Sequence, residues 1–255
     1  MFSVFIVGTA GAGKSVLTST LASWLEANEI KTVKVNLDPA VEKLPYVPDV
    51  DVRDYVTAYE LMENHDLGPN GAIVAAVDML ASKAEHLKEE ILDLKPGYVL
   101  FDTPGQMELF AFRSVGEYIV SILGGERKAM LFLVDAALSI RPSGLLSSML
   151  LAASAHYRLS IPQINVLNKI DLIDRSIVNK IMEWVEDLDV FYNDLVKEKG
   201  TLKNINEMIF MAVREFISAF NIIPVSALTG ENIEQIYITL QQIYTGGEDY
   251  IYLSS

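Results

Sequence analysis

Eight consecutive residues constrain this chain more than any others: Gly8-Thr9-Ala10-Gly11-Ala12-Gly13-Lys14-Ser15 fit the pattern G-x-x-x-x-G-K-S. They follow an apolar run, Phe2–Val7, and open a helical pattern, Lys14–Ala27. Glycine lets the backbone curl until successive N–H groups point inward, and the start of a helix adds unpaired N–H groups of its own. Such a segment is built to hold phosphate. Gly8, Gly11, Ala12 and Gly13 supply the cradle, Lys14 the charge opposite β- and γ-phosphates, and Ser15 a hydroxyl for Mg²⁺, a hard cation that prefers oxygen. The loop works only where a strand ends and a helix begins, so the rest of the chain must supply a sheet whose strands finish beside it.

Short apolar runs alternate with helical periodicity along the sequence. Strands are expected at Phe2–Val7, Thr32–Leu37, Tyr98–Phe101, Ala129–Val134, Gln163–Leu167 and Ile222–Val225. Most are apolar on both faces, as strands covered by helices on either side must be. Thr32–Leu37 and Gln163–Leu167 alternate with polar residues and are expected nearer an edge or less fully covered. Helices are expected near Lys14–Ala27, Ala72–Leu80, Met107–Leu123, Ser143–His156 and Glu231–Tyr244. The fold class that follows is α/β, a three-layer, Rossmann-like P-loop NTPase with a mainly parallel sheet. A single domain over 1–255 is expected, with two insertions. The first, at about 40–97, holds Pro45, Pro48, a turn at Gly68-Pro69-Asn70 and a helical stretch to about Leu94. The second, 173–220, is amphipathic in Arg175–Lys199 and Leu202–Phe220.

Charge narrows the partners. Lys plus Arg number 20 and Asp plus Glu 34, so the formal charge is 20 − 34 = −14. That surface gives no electrostatic footprint for nucleic acid, whose affinity comes chiefly from neutralised phosphates. The absence of cysteine excludes disulfides and thiol chemistry, and His65, His86 and His156 lack metal-ligand spacing. No apolar run approaches the roughly eighteen residues of a membrane helix. The start lacks a basic segment and runs directly into the glycine loop, so a cytoplasmic protein is expected.

Three further motifs carry chemistry. Tyr98-Val-Leu-Phe-Asp102 places an aspartate at the end of a buried strand, where it can hold Mg²⁺ through water, and Thr103-Pro-Gly105-Gln106 follows with an N–H at Gly105 for a γ-phosphate. Asn168-Lys169-Ile170-Asp171 closes another strand and matches NKxD. A carboxylate such as Asp171 accepts from guanine N1–H and the exocyclic amine, two donors adenine does not present together, while the Lys169 stem covers the ring. Ser226-Ala227-Leu228, after the last strand, resembles the SA[KL] loop of GTPases and also fits an ordinary strand-to-helix turn.

The sequence resembles the GPN-loop GTPases, with Gly68-Pro69-Asn70 standing where that family has its Gly-Pro-Asn turn. Asn36-Leu-Asp38-Pro39-Ala40, Asp51-Val-Arg53-Asp54 and Asp102-Thr-Pro-Gly-Gln106-Met-Glu108-Leu-Phe110 agree with it, and the match spans 1–232; the tail Gly246–Ser255 has no motif to test. The chain looks like the archaeal type, a single homologue of the eukaryotic proteins. The resemblance implies a homodimer in which Asn70 approaches the partner's nucleotide, GTP/GDP with Mg²⁺ as ligands, and a protein client, with RNA polymerase assembly the machinery it points to. From residues alone the Gly-Pro-Asn segment is a surface turn. Asp38 is expected to hold a magnesium-bound or attacking water, or to be an Asp-Pro turn. Gln106 and Glu108 are both candidates to orient or deprotonate that water, and the choice between them stays open. Arg53 and Arg113 are candidates for γ-phosphate charge or for surface ion pairs. The expected reaction is hydrolysis of GTP to GDP and phosphate; a GTP-gated assembly factor with negligible turnover is the alternative, and a small-molecule kinase a remoter one, having no need of NKxD or DTPG.

Overall fold

Strand β1 (Phe2–Gly8) is buried throughout in the computed structural model, which describes residues 1–198, 203–218 and 221–245. Its side chains alternate between two cores. Phe5 and Val7 enter one, and Phe2, Val4 and Ile6 the other, as the two-residue repeat of a strand requires. Helix α1 (Lys14–Ala27) covers the second face with Leu17, Leu21 and Leu25. The chain continues through β2 (Thr32–Asn36), β3 (Val50–Asp51), α2 (Ala58–His65), α3 (Pro69–Asp93), β4 (Tyr98–Asp102), α4 (Met107–Phe110), α5 (Ser114–Leu123) and β5 (Lys128–Asp135). It closes with α6 (Pro142–Leu159), β6 (Gln163–Asn168), α7 (Arg175–Glu186), α8 (Leu188–Lys197), α9 (Lys203–Ser218), β7 (Ile222–Val225) and α10 (Ile233–Thr245).

The sheet has seven strands in the order β3-β2-β4-β1-β5-β6-β7, all pairings parallel. Helices α1 and α10 pack on one face and α2 to α9 supply the core of the other, giving the three-layer α/β architecture expected from the alternation. Because every strand runs the same way, the segments after β1, β2, β4, β5, β6 and β7 all emerge at one edge. Chain order reverses beside β1, and ligands of open parallel sheets bind at such a point.

The structure departs from the sequence reading in several places. A short strand, β3, pairs Val50 with Val35 and Asp51 with Asn36; two residues carry no periodicity, so no pattern announced it. It moves β2 off the edge, and only Lys34 of that strand is partly exposed. In β6 the polar alternation reports buried partners: Gln163 Nε2 donates to Asn165 Oδ1 at 2.7 Å, and Asn165 is almost fully buried. Gly68-Pro69-Asn70 is the beginning of α3 rather than a separate turn, with Gly68 as N-cap and Pro69 at the first helical position, where its missing N–H costs nothing. The helix expected over Met107–Leu123 breaks at 111–113, and the turn brings Gly116 of α5 so close to the Phe110 carbonyl that no Cβ would fit, so the glycine permits this geometry.

Among the described residues of 173–220 three helices form. Asp187 separates α7 from α8, its carboxylate accepting from the N–H groups of Asp189 and Val190. Trp184 stacks on Phe191 across their junction, and Phe210 of α9 meets Phe191 edge-on. The helix ends expected at Lys199, Leu202 and Phe220, and the tail 246–255, lie outside the described residues. No helix among the described residues is long and apolar enough to cross a membrane.

Asp194 ties this junction together. It accepts from Trp184 Nε1 at 3.0 Å and pairs with Lys180 and Lys197 at 3.0 and 3.1 Å. The Trp184 hydrogen bond first, then the lysines, hold its carboxyl well below the usual range. A depressed folded value means stability that is present above the unfolded value, about 4, and lost as pH falls through the folded one. Asp194→Asn is therefore expected to cost about 1 kcal/mol near neutrality, a figure reduced for solvent screening. The gap to the parent should close in urea titrations below about pH 4, and a pH-independent gap would remove the ionic account.

Candidate functional site

The phosphate loop leaves β1 at Gly8 and enters α1 at Lys14. Lys14 is buried and its ammonium folds across the mouth of its own loop, donating to the carbonyls of Gly8 at 3.1 Å and Thr9 at 3.2 Å. Burial lowers its pKa, with Asp102 and Asp38 pushing it back up. Gly13 holds φ +95° immediately before the helix, and a Cβ there would stand 2.5 Å from Asn168 Nδ2. Only glycine satisfies both demands. Gly11 is also left-handed, at φ +78°. Ala12 is buried, and its carbonyl accepts from Asn168 Nδ2 at 2.8 Å.

Asp102, the last residue of β4, is almost fully buried. Its Oδ2 accepts from the hydroxyl of Tyr46 at 3.0 Å, whereas Oδ1 has no hydrogen-bond partner among the described residues. Burial pushes its carboxyl up to about 6 against the pull of Ser15, Tyr46 and Lys14, with Asp38 adding to the rise. Burial, and then the Asp102 carboxylate, hold the Tyr46 phenol far above its ordinary pKa. An orphaned carboxylate oxygen in the neighbourhood of the Ser15 hydroxyl fits a hydrated Mg²⁺. Among the described residues no three carboxylate or imidazole groups converge on one point, so most ligands of such an ion would come from water and phosphate, as Mg²⁺ prefers.

Asp38 lies just past β2, its Oδ1 accepting from Ala40 N at 2.9 Å and its Oδ2 from Gly105 N at 3.0 Å. The carboxylate thus holds the amide that the sequence reading assigns to a γ-phosphate. Behind it, Asn36 Oδ1 accepts from Asp38 N at 3.0 Å, and Asn36 Nδ2 donates to Asp51 Oδ1 at 2.8 Å. Asp51 in turn pairs with Arg53 at 2.6 Å. Arg53 is thereby engaged inside the chain, and Arg113 pairs with Asp78 at 2.7 Å.

At the far end of the edge, Asn168 joins three segments. Its Nδ2 holds the phosphate loop at Ala12, and its Oδ1 accepts from Ala227 N at 3.0 Å. Ser226, buried, donates its hydroxyl to Asp171 Oδ1 at 2.6 Å, while Asp171 itself is exposed. Lys169 pairs with Asp135, the last residue of β5, at 2.7 Å. Asn70, Gly105, Gln106 and Glu108 line one cleft of about 520 Å³ together with Thr9 and Ala10. Gln106 immediately precedes α4 and Glu108 sits in its first turn, both exposed.

Two contributors were not picked out from sequence. Asp135 follows an apolar strand as Asp102 does, which was a usable signal. Tyr46 lies in an aperiodic stretch between Pro45 and Val47 and had none.

The chain matches, over residues 6–246, the profile of a family described as "Conserved hypothetical ATP binding protein". It is 32% identical to GPN-loop GTPase 1 of Dictyostelium discoideum over 251 residues, which is 97% of this chain and 62% of that protein. It spans 62% to 66% of the length of four such eukaryotic relatives. With a GPN-loop GTPase of Pyrococcus abyssi it shares 33% identity over 235 residues, 91% of this chain and 93% of that one. A crystal structure described as a GTPase in apo form from Pyrococcus abyssi superposes with a TM-score of 0.85, at 32% identity and covering 95% of this chain and 97% of that one. Identity of this extent, over nearly the whole of the archaeal protein and of this one, places the chain in the GPN-loop GTPase family.

Proposed function

We propose that this chain is a Mg²⁺-dependent cytoplasmic GTPase that acts as a homodimeric switch, converting GTP and water to GDP and phosphate. The observation that carries the reading is Asn168: one side chain is bonded to both the phosphate loop at Ala12 and the Ser226–Ala227 segment. Base recognition and phosphate binding are thereby held in register. With a carboxylate at Asp171 seated by Ser226, the base preferred is guanine.

Mg²⁺, when bound, would be held by Ser15 and, through water, by Asp102, and would neutralise charge on the β- and γ-phosphate oxygens. The chain's own residues do the remainder. Lys14 turns from the carbonyls of Gly8 and Thr9 to the phosphates, and the loop N–H groups hold the charge that spreads over the γ-phosphoryl oxygens. Asp38 yields the Gly105 amide to the γ-phosphate, which frees its carboxylate for a water. Gln106 and Glu108, exposed in the same cleft, orient the attacking water or take its proton. The water oxygen bonds to the γ-phosphorus as the bond to the β-phosphate oxygen breaks, leaving GDP and phosphate. Positioning supplies most of the acceleration.

The resemblance assigns Asn70 to the nucleotide of a partner copy. Phosphate release from GTP and from ATP, across a protein concentration series, tests this. Expected are GTP hydrolysis alone, activity per subunit rising with concentration, and a loss of about 100-fold in Asn70→Ala, the scale of one transition-state donor. An unaffected Asn70→Ala, with flat specific activity across a demonstrated monomer–dimer transition, would remove the role in trans. The exposed edge of α9, Ile205, Met208 and Met211, favours a second reading: a GTP-gated assembly factor for a protein client, the RNA polymerase assembly machinery by family resemblance. Tight GTP binding with no turnover until a client is added would decide for it.

A further inference from the structure

We infer that Tyr46 is the positioning residue for magnesium: by holding Oδ2 of Asp102 it fixes the carboxylate so that Oδ1 faces the hydrated cation. The inference rests on the Mg²⁺-dependent reading above and goes beyond it, since neither the phosphate loop nor the aspartate motif includes this tyrosine.

The two oxygens of Asp102 are unequal. Oδ2 takes the Tyr46 hydroxyl at 3.0 Å, while Oδ1 is buried and unpartnered among the described residues. A carboxylate turning about its last torsion meets only broad, shallow preferences, so a lone aspartate at a strand end has no fixed aim. One hydrogen bond from a rigid ring supplies it. Tyr46 donates to the oxygen that the cation does not need, so it can stay in place when metal arrives.

The segment carrying Tyr46 is itself anchored on both sides. Before it, Arg53 Nη1 donates to the carbonyls of Val41 at 3.1 Å and Glu42 at 3.4 Å. After it, Asp49 N donates to Lys34 O and Lys34 N to Asp49 Oδ2, each at 2.8 Å. Arg53 is clamped on Asp51, and Asp51 also receives Asn36, which holds Asp38 against Gly105. One carboxylate, Asp51, therefore supports both the arc that aims Asp102 and the arm that reaches the Gly105 amide. Outer partners of metal ligands commonly change metal affinity by about 10- to 100-fold when removed.

The test uses the whole chain and a fluorescent guanine nucleotide, mant-GDP, whose dissociation is followed as free Mg²⁺ is varied. In Tyr46→Phe the ring is kept and the hydroxyl lost. The Mg²⁺ concentration that half-maximally slows dissociation is expected to rise about 10-fold, while dissociation in excess EDTA stays within about twofold of the parent. Arg53→Gln, which releases Val41 and Glu42, should shift the midpoint in the same direction by less. A merely structural tyrosine would alter the EDTA rate and leave the midpoint alone, and that result overturns the inference. A midpoint that falls also overturns it, because Tyr46 would then compete with the metal. If the parent protein itself binds mant-GDP without any response to Mg²⁺, the Mg²⁺-dependent reading fails instead.

Discussion

Lys14→Met is expected to lower GTP turnover at saturating nucleotide by about 10³-fold, the upper range for one preorganised charge on a developing oxyanion. The ammonium sits buried at the start of α1, held by the carbonyls of Gly8 and Thr9 and facing Asp102 and Asp38. It is desolvated before substrate arrives, so it loses little water when it turns to phosphate, and its attraction grows as charge gathers on the γ-phosphoryl oxygens. Methionine keeps the length and removes the charge. The fold should survive with a lower melting temperature, since methionine keeps the stem in place but leaves the buried Gly8 carbonyl and the part-buried Thr9 carbonyl without the ammonium. Single-turnover phosphate release is the measurement, with a thermal melt as control. A loss below about 10-fold in a folded variant would place phosphate binding elsewhere.

Asp171→Ala is expected to weaken GTP binding by about 10³-fold and to leave ATP binding unchanged. Two charge-assisted hydrogen bonds to guanine are at stake, each about 1.5–3 kcal/mol, and about 1.4 kcal/mol is a factor of ten. Asp171 is exposed, and Ser226 fixes Oδ1 at 2.6 Å without exhausting it, because a carboxylate oxygen accepts twice. Ser226→Ala should follow in the same direction by roughly tenfold, since it removes the aim and not the acceptor. Competition of GTP and ATP against mant-GDP reads both. An equal loss for the two nucleotides would mean that the effect is on the phosphate end, through Asn168, and that Asp171 does not read the base.

Both predictions draw on segments whose chemistry is local. The cradle at Gly8–Ser15 could be read from its letters because a backbone at φ +95° tolerates glycine and little else, and Gly13 is there. Buried parallel strands read as largely apolar runs because helices cover both their faces, and β1, β4, β5 and β7 were legible for that reason, whereas β2 and β6 carried polar residues that misplaced them toward an edge. The start of α3 was half legible. Gly-Pro-Asn names a turn or a helix beginning equally well, and what decided it was the stripe Ala72, Ala76, Val77, Leu80 finding the core. Likewise, the break between α4 and α5 brings the Phe110 carbonyl against Gly116, a contact that helical periodicity does not encode.

The site divides along the same line. By itself the sequence determined the strand-loop-helix units, the class of ligand and the residue types offered to it, because each depends on neighbours a few positions apart. Only the tertiary structure decided which polar groups meet. Tyr46 reaches Asp102 across 56 positions, Lys169 reaches Asp135 across 34, and Asn168 reaches Ala12 across 156. Those meetings are set by the order β3-β2-β4-β1-β5-β6-β7, which brings distant strand ends to one edge. Strand order is chosen by the packing of whole faces, a sum over many weak apolar contacts, and so it leaves no mark on the few residues that finally touch.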